Sequence, residues 1–299
     1  MDRKKSGVAI IDALGEEGIT PEFRLSVQDF EYLRQLIYDL SGIHLKDAKR
    51  QMVQSRLTKR LRILEMANFP DYIKYMKQHP EELTDMLNRI TTNKTHFFRE
   101  PKHFQFLQDA ALPYILAAKQ GLGNRTINGW CAASSTGEEP YTIAMVVQHF
   151  LSSHPGWSAR LLASDLDTNV LAKASAGTYP KDVIKGIPGH LSKAYTCPVT
   201  GSGGSEFTFH NSVRNLLMFR QINLMSERYP IRSALDFIFC RNVFIYFTRE
   251  DRDQVVKRFI KLLRPGGYLF LGHSEVLDVD VFGGQIEFIG NTTYQKVGS

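Results

Sequence analysis

Residues 130–141 read W-C-A-A-S-S-T-G-E-E-P-Y, and their reading decides the fold. The residues before them, 126–131, have the make-up of a short strand, and the apolar run after Pro140 suits a helix. Strand, tight loop and helix form the unit that holds nucleotide-like ligands in α/β proteins. The loop itself is unusual. It has one glycine, Gly137, and two adjacent carboxylates, Glu138 and Glu139. A pyrophosphate site wants several glycines, bare amides and often a lysine. Two carboxylates would repel phosphate and suit a positively charged ligand. They also suit the first turn of a helix on electrostatic grounds alone.

S-adenosylmethionine fits such a loop. It carries a sulfonium and an α-ammonium, balanced by one carboxylate. The helix N-terminus can take that carboxylate while a glutamate takes the ammonium. Asp165 closes the next apolar run, 160–164. An acid at that place binds ribose hydroxyls in dinucleotide folds, and S-adenosylmethionine has the same ribose. Asp167 lies two residues on, and Asp167-Thr168 reads as the cap of the following helix. A third apolar run, 236–240, ends in Arg241, Asn242 and then Tyr246. These polar groups fall at the carboxyl edge of the sheet, where ligands bind; a role in tethering the loop is the other reading.

Outward from this loop the chain divides. Residues 1–24 read as an N-terminal tail, and their short apolar stretch is not a signal peptide. Residues 25–90 are helical throughout. Ser26 caps a helix carrying Phe30, Leu33, Ile37 and Leu40, which Ser41-Gly42 stops. A second helix carries Ala48, Met52, Val53, Leu57, Leu61 and Leu64 along one stripe, and two shorter helices follow around Pro70 and Pro80. The run T-T-N-K-T-H-F-F-R-E-P, 91–101, breaks the periodicity and reads as a linker. From 102 to 299 strands alternate with helices, which predicts a doubly wound, mostly parallel, Rossmann-like sheet. Arg264-Pro-Gly-Gly reads as a turn before a strand, and an antiparallel pair is expected between Phe282 and Val297. Residues 192–222, with Gly-Ser repeats and alternating Phe207 and Phe209, read as an antiparallel β insert or as a loose crossover loop.

Five motifs carry a narrower resemblance: the linker run 91–101, S-T-G-E-E-P-Y, A-S-D-L-D-T, I-F-C-R-N-V-F-I-Y-F and L-G-H-S-E. In this order and spacing, across about 25–295, the chain resembles the bacterial chemotaxis receptor methyltransferase family. The resemblance implies a class I methyltransferase domain, a small all-α N-terminal domain and an antiparallel β subdomain. It implies S-adenosylmethionine-dependent methylation of glutamate side chains on chemoreceptors, with S-adenosylhomocysteine as product. By the same resemblance Asn93, Thr95, Arg99, Glu139, Asp165, Asn223, Leu224, Arg241 and Asn242 line the cofactor site. Arg99 and Tyr246 then lie near the transferring methyl. The β subdomain becomes the place for a receptor C-terminal peptide. A monomer in the cytoplasm, recruited to membrane receptor arrays, is expected.

The second helix suggests the docking face. Lys46, Lys49, Arg50, Arg56, Lys59, Arg60 and Arg62 crowd it, and Arg56, Lys59 and Arg60 are the expected contacts with receptor glutamates. A solvated basic face is the plainer reading. Across all 299 residues the net charge is +6 and apolar residues make up 43%, which fits a globular protein with an acidic partner. The three cysteines form no C-x-x-C pair and the nine histidines form no H-x-x-x-H, so no metal site is expected. Two other functions compete: a methyltransferase acting on RNA, and a catalytically silent cofactor-binding scaffold. Neither an N-P-P-Y-type tetrad nor a catalytic cysteine motif supports nucleic acid as substrate.

Overall fold

The computed structural model describes residues 23–298, so the expected tail lies outside the described residues except for its last two. The first part is four helices: α1 (Val27–Ser41), α2 (Arg50–Ile63), α3 (Phe69–Gln78) and α4 (Glu82–Ile90). Ser26 Oγ accepts from the Asp29 amide at 3.0 Å and starts α1. Gly42 ends it at φ 72°, a left-handed value that glycine adopts without strain, and its amide reaches the Tyr38 carbonyl. Phe30, Leu33 and Ile37 bury one face against Val53, Leu57 and Leu61 of α2 and Phe69 and Tyr72 of α3. The expected α2 stripe is shorter at its start. A 3-10 turn over Asp47–Lys49 precedes the helix, so Ala48 leaves the stripe and is exposed.

The second part follows from α5 (Lys102–Phe106) and α6 (Leu112–Lys119), joined by a π-turn, to β1 (Thr126–Ala132) and α7 (Glu138–Leu151). Next come β2 (Ser158–Asp165), α8 (Thr168–Ala176), β3 (Thr178–Pro180), α9 (Gly189–Tyr195), β4 (Thr196–Pro198) and β5 (Glu206–Phe209). The chain closes with α10 (Asn211–Arg214), β6 (Leu217–Gln221), β7 (Leu235–Cys240), α11 (Arg249–Leu262), β8 (Leu263–Leu271), β9 (Ile286–Gly290) and β10 (Thr293–Lys296). The seven-stranded sheet has the order β6-β2-β1-β7-β8-β10-β9. Its first five strands are parallel, and β10 runs antiparallel between β8 and β9. The strand order reverses direction at β1, which opens a crevice at the carboxyl ends of β1, β2 and β7.

The β insert is real, but its bounds shift. A three-stranded antiparallel sheet, order β3-β5-β4, occupies Thr178–Phe209. Tyr179, Phe207 and Phe209 bury one face of it against Phe97 and Tyr141. Residues 217–221, expected in the insert, are instead β6 at the edge of the main sheet, parallel to β2. An edge strand with one wet face alternates as an antiparallel strand does, so sequence pattern alone does not separate the two. The expected Arg264-Pro-Gly-Gly turn is likewise absorbed into β8, where the register against β7 shifts.

Several contacts seat the helical part on the sheet domain, among them two hydrogen bonds between Asn88 of α4 and Thr168 of α8. The Asn223 amide donates to the Leu40 carbonyl at 2.7 Å, and the His44 amide donates to the Tyr246 carbonyl at 2.8 Å. Tyr38 donates to Asp251 at 2.8 Å. No helix among the described residues is long and apolar enough to cross a membrane.

Candidate active site

A cavity of about 610 Å³ lies between the two parts, walled by α1–α2 residues, the linker and the carboxyl ends of β1, β2 and β7. All nine residues expected at the cofactor line it: Asn93, Thr95, Arg99, Glu139, Asp165, Asn223, Leu224, Arg241 and Asn242. Tyr246 lines it too. These residues are spread over 154 positions of sequence, from 93 to 246, and the sheet edge brings them together.

The β1–α7 loop is tightly wound. Ala133 and Ser135 have φ of 60° and 48°, and Gly137 has 103°. A side chain at Gly137 would meet the Tyr179 hydroxyl at 2.4 Å, so the loop packs on the insert as closely as a glycine allows. The two glutamates part ways here. Glu138 turns away and accepts from Thr136 Oγ1 at 2.6 Å, in the manner of a first-turn carboxylate. Glu139 is buried and faces the cavity, where Arg241 Nη1 reaches its Oε2 at 2.7 Å. Its other oxygen accepts only a Cys131 thiol, at 3.4 Å. Burial pushes the Glu139 pKa up, and Arg241 opposes the shift.

Asp165 is 7% exposed at the end of β2. Its two oxygens accept from the amides of Ser135, at 2.8 Å, and Asp167, at 2.9 Å, which fixes the carboxylate between two loops. Burial raises its pKa and these amides hold it down. Asp167 does the capping expected of it: Oδ1 accepts from the Asn169 and Val170 amides. Its Oδ2 has a further task, accepting from Thr91 Oγ1 at 2.7 Å and Asn93 Nδ2 at 2.8 Å. Asn93 is thereby a clip that holds the linker on the sheet, and Ser135 Oγ donates to its carbonyl at 3.1 Å.

Arg241 leaves β7 almost fully buried. Besides Glu139 it reaches the Arg99 carbonyl at 2.5 Å and approaches Glu100 Oε2 at 2.9 Å. Burial would lower its pKa, but the Glu139 and Glu100 carboxylates outweigh that and raise it. Arg99 lines the cavity with its guanidinium tethered to the Lys94 carbonyl at 3.0 Å. Tyr246 is half-buried on a 3-10 turn, Phe244–Tyr246, beside the exposed Ile245. Ser134 Oγ is buried in the same wall with no hydrogen-bond partner among the described residues.

One residue of this arrangement escaped assignment. Glu275, in the L-G-H-S-E run, is 3% exposed and accepts from four amides. Asn242 and Gly272 reach one oxygen at 2.8 and 2.6 Å, and Val243 and Phe244 reach the other at 2.7 and 2.8 Å. It therefore sets the backbone of the loop that carries Asn242, whose φ is 61°. A lone glutamate directly after a strand and glycine turn was the available signal.

Residues 93–293 match the SAM-binding domain of CheR methyltransferase, and residues 28–91 match its all-alpha domain. The chain belongs to the CheR methyltransferase family. It is 40% identical to chemotaxis protein methyltransferase 2 of Pseudomonas aeruginosa, covering 85% of this chain and 88% of that one. Against the chemotaxis protein methyltransferase of Escherichia coli it is 39% identical, covering 86% and 87%. Against that of Borreliella burgdorferi the figures are 32%, 91% and 95%. The two matched domains part at residue 92, inside the linker run, so both halves of the cavity wall belong to the family.

The residues present fit S-adenosylmethionine. Glu139 keeps an oxygen with only a thiol donor, which suits a cationic group, and Ser134 keeps an unpartnered hydroxyl.

The docking residues separate sharply. Lys59 is exposed. Arg56 turns inward and donates to the carbonyls of Ile90 and Thr91 and to Thr92 Oγ1, lining the cavity. Arg60 is bound to Glu82 at 2.6 Å and to Asp85 at 2.7 Å and does not face out as expected. Both acids come from α4, about one turn apart, which no reading of α2 alone could show.

Proposed function

We propose that this protein methylates glutamate side chains of chemoreceptors, using S-adenosylmethionine and forming γ-methyl esters. The observation that carries the reading is one cavity in which Glu139, Asp165 and Arg241 meet Arg99 and Tyr246 beneath a helical domain. S-adenosylmethionine, when bound, supplies a methyl group on a sulfonium for displacement by a carboxylate oxygen. A receptor glutamate is already ionised at neutral pH, so no general base is required. The enzyme contributes placement, close approach and exclusion of water. In this reading Glu139 holds the ammonium, with Arg241 keeping it ionised and oriented. Asp165 receives the ribose hydroxyls on lone pairs that its two amides leave free. Asn93 and Thr95 shape the linker wall, Asn223 and Leu224 the adenine side. Arg99 and Tyr246 orient the incoming carboxylate, Arg99 by charge-assisted hydrogen bonds.

The docking face we assign is the exposed side of α2 together with the turn before it: Lys46 and Lys49 on the turn, and Arg50, Lys59 and Arg62 on the helix. A basic helix opposite a glutamate-rich receptor helix is electrostatically matched. The edges of β3 and β4 can each accept an extended receptor peptide as an added strand. The protein then acts as a monomer in the cytoplasm, drawn to receptor arrays.

The test is transfer of tritiated methyl from S-adenosylmethionine to membranes containing candidate receptors. Label released as methanol by mild base identifies a carboxyl ester. Arg99→Ala in the same assay should lower turnover by at least ~tenfold, with circular dichroism unchanged. Cofactor binding with no base-labile transfer to any receptor, or label entering RNA, would sink the proposal.

A further inference from the structure

Beside the cavity, and outside its wall, three side chains converge from distant parts of the chain: Glu100, His103 and His273. His103 is fully buried on α5. Its Nε2 is hydrogen-bonded to the Asn291 carbonyl, an acceptor only, so that nitrogen carries the proton. Nδ1 is left as a bare lone pair, and no hydrogen-bond donor among the described residues reaches it. Facing it at 3.6 Å is Glu100 Oε2, which also lacks a hydrogen-bond partner. Arg241 Nη2 lies 2.9 Å from that oxygen, an ion-pair approach off the hydrogen-bonding direction. Arg241 balances the Glu100 charge but does not satisfy His103 Nδ1, so that buried lone pair faces a carboxylate oxygen with no donor between them. From the solvent side His273, 58% exposed, brings Nε2 to 3.8 Å from the same Glu100 oxygen.

We propose that Glu100, His103 and His273 form a site for one divalent transition-metal ion of the zinc kind. The ligand atoms all lie within 4.8 Å of one another. Tetrahedral zinc, with bonds of about 2.0–2.1 Å, spaces its ligand atoms roughly 3.3–3.4 Å apart, so small side-chain adjustments close the set. Two imidazoles and one carboxylate favour zinc, cobalt or nickel over magnesium or calcium, which want oxygen alone. The supporting contacts are those of a metal site. A backbone carbonyl fixes the His103 tautomer, and Asn242 Nδ2, at 3.3 Å, holds the other oxygen of Glu100. The Arg241 charge weakens the attraction, but Glu139 at 2.7 Å takes up much of it. A fourth position remains for water on the His273 side. Sequence spacing could not announce this site, because one ligand stands 170 positions from the other two (103 to 273).

The site shares Glu100 with the Arg241 network. Any effect of the metal on cofactor affinity must be returned by the cofactor on metal affinity by the same factor.

The test is titration of the intact, chelator-treated protein with zinc against a competing indicator, and with cobalt followed by its visible d–d bands. Wild type should bind one ion, with tetrahedral cobalt absorption. His273→Ala, a surface change that leaves the core untouched, should weaken binding on the order of 10–100-fold and abolish those bands. Glu100→Gln should weaken it as well. Equal affinity of wild type and His273→Ala overturns the proposal. So does binding that survives His273→Ala but is lost in Cys197→Ser.

Discussion

Two arginines in this chain are each held between two carboxylates, yet only one stands at a ligand cavity. In the helical domain Arg60 meets Glu82 through Nε at 2.8 Å and Nη2 at 2.6 Å, and Asp85 at 2.7 Å. Tyr72 adds its hydroxyl to Glu82 at 2.8 Å, so both oxygens of that buried acid are satisfied. At the sheet edge Arg241 meets Glu139 and Glu100, but its network stays open. Glu139 Oε1 has only a thiol, and Arg241 Nε and Glu100 Oε2 have no hydrogen-bond partner. The charges are alike, although Arg60 is the wetter of the two: its side chain keeps 15% of its surface exposed and that of Arg241 none. What separates a folding element from a binding element is the unspent hydrogen-bonding capacity, which a ligand is needed to complete.

The largest effect should come from breaking the open network. Arg241→Met leaves the buried Glu139 and the half-buried Glu100 without their cation, which costs about 3–5 kcal/mol of stability. It also removes the partner that orients Glu139, so methyl transfer should fall about 10²–10³-fold in the protein that remains folded. Urea titration gives the first quantity, and turnover with calorimetric cofactor binding gives the second. Turnover and cofactor affinity both close to wild type would show that the open network serves folding after all.

The closed network should answer differently. Arg60→Ala strands Glu82 and should likewise cost about 3–5 kcal/mol. Replacing the pair together, Arg60→Met with Glu82→Leu, should recover most of that loss, because well-packed apolar groups replace buried ion pairs at little penalty. In both variants cofactor affinity, measured well below the unfolding midpoint, should match wild type. A selective loss of cofactor affinity in the repacked double variant would erase the distinction between the two arginines.

The sequence showed the parts of this comparison unevenly. The strand–loop–helix at 126–151, the aspartate after β2 and the polar end of β7 were legible because apolar runs ending in polar residues mark the carboxyl edge of a parallel sheet. The loop's own residues did not separate Glu139 from Glu138, since both sit in the first helical turn and only the turn's rotation aims one inward; the family resemblance favoured Glu139. Arg60 read as exposed because its partners come from α4, and helical periodicity says nothing about a neighbouring helix. Glu275 was hidden for a related reason: its work is done on amides about thirty positions away, at 242–244. β6 was legible as a strand near Leu216–Arg220 but fell within the bounds given to the insert, because edge strands of either sense show the same alternation. Local pattern reports which face of an element is wet, while the pairing of charges across elements belongs to the tertiary fold.

The smallest effect sharpens the comparison on the solvent side. Lys59 shares α2 with Arg60 and is exposed, so it belongs to neither network. If the outer face of α2 meets an acidic receptor helix, Lys59→Glu should raise the KM for receptor only, leaving kcat and cofactor affinity unchanged. A rim charge contributes about 0.2–1 kcal/mol, so the rise should be roughly 1.4-fold to fivefold at low salt. Screening should shrink it as ionic strength approaches about 1 M, where the Debye length is near 3 Å. Arg56→Ala should behave otherwise, because its guanidinium holds the linker carbonyls of Ile90 and Thr91 at the cavity wall. It should lower kcat and cofactor affinity with little dependence on salt. Should Lys59→Glu leave KM untouched even at low salt, the outer face of α2 is a solvated surface and receptor recognition lies elsewhere.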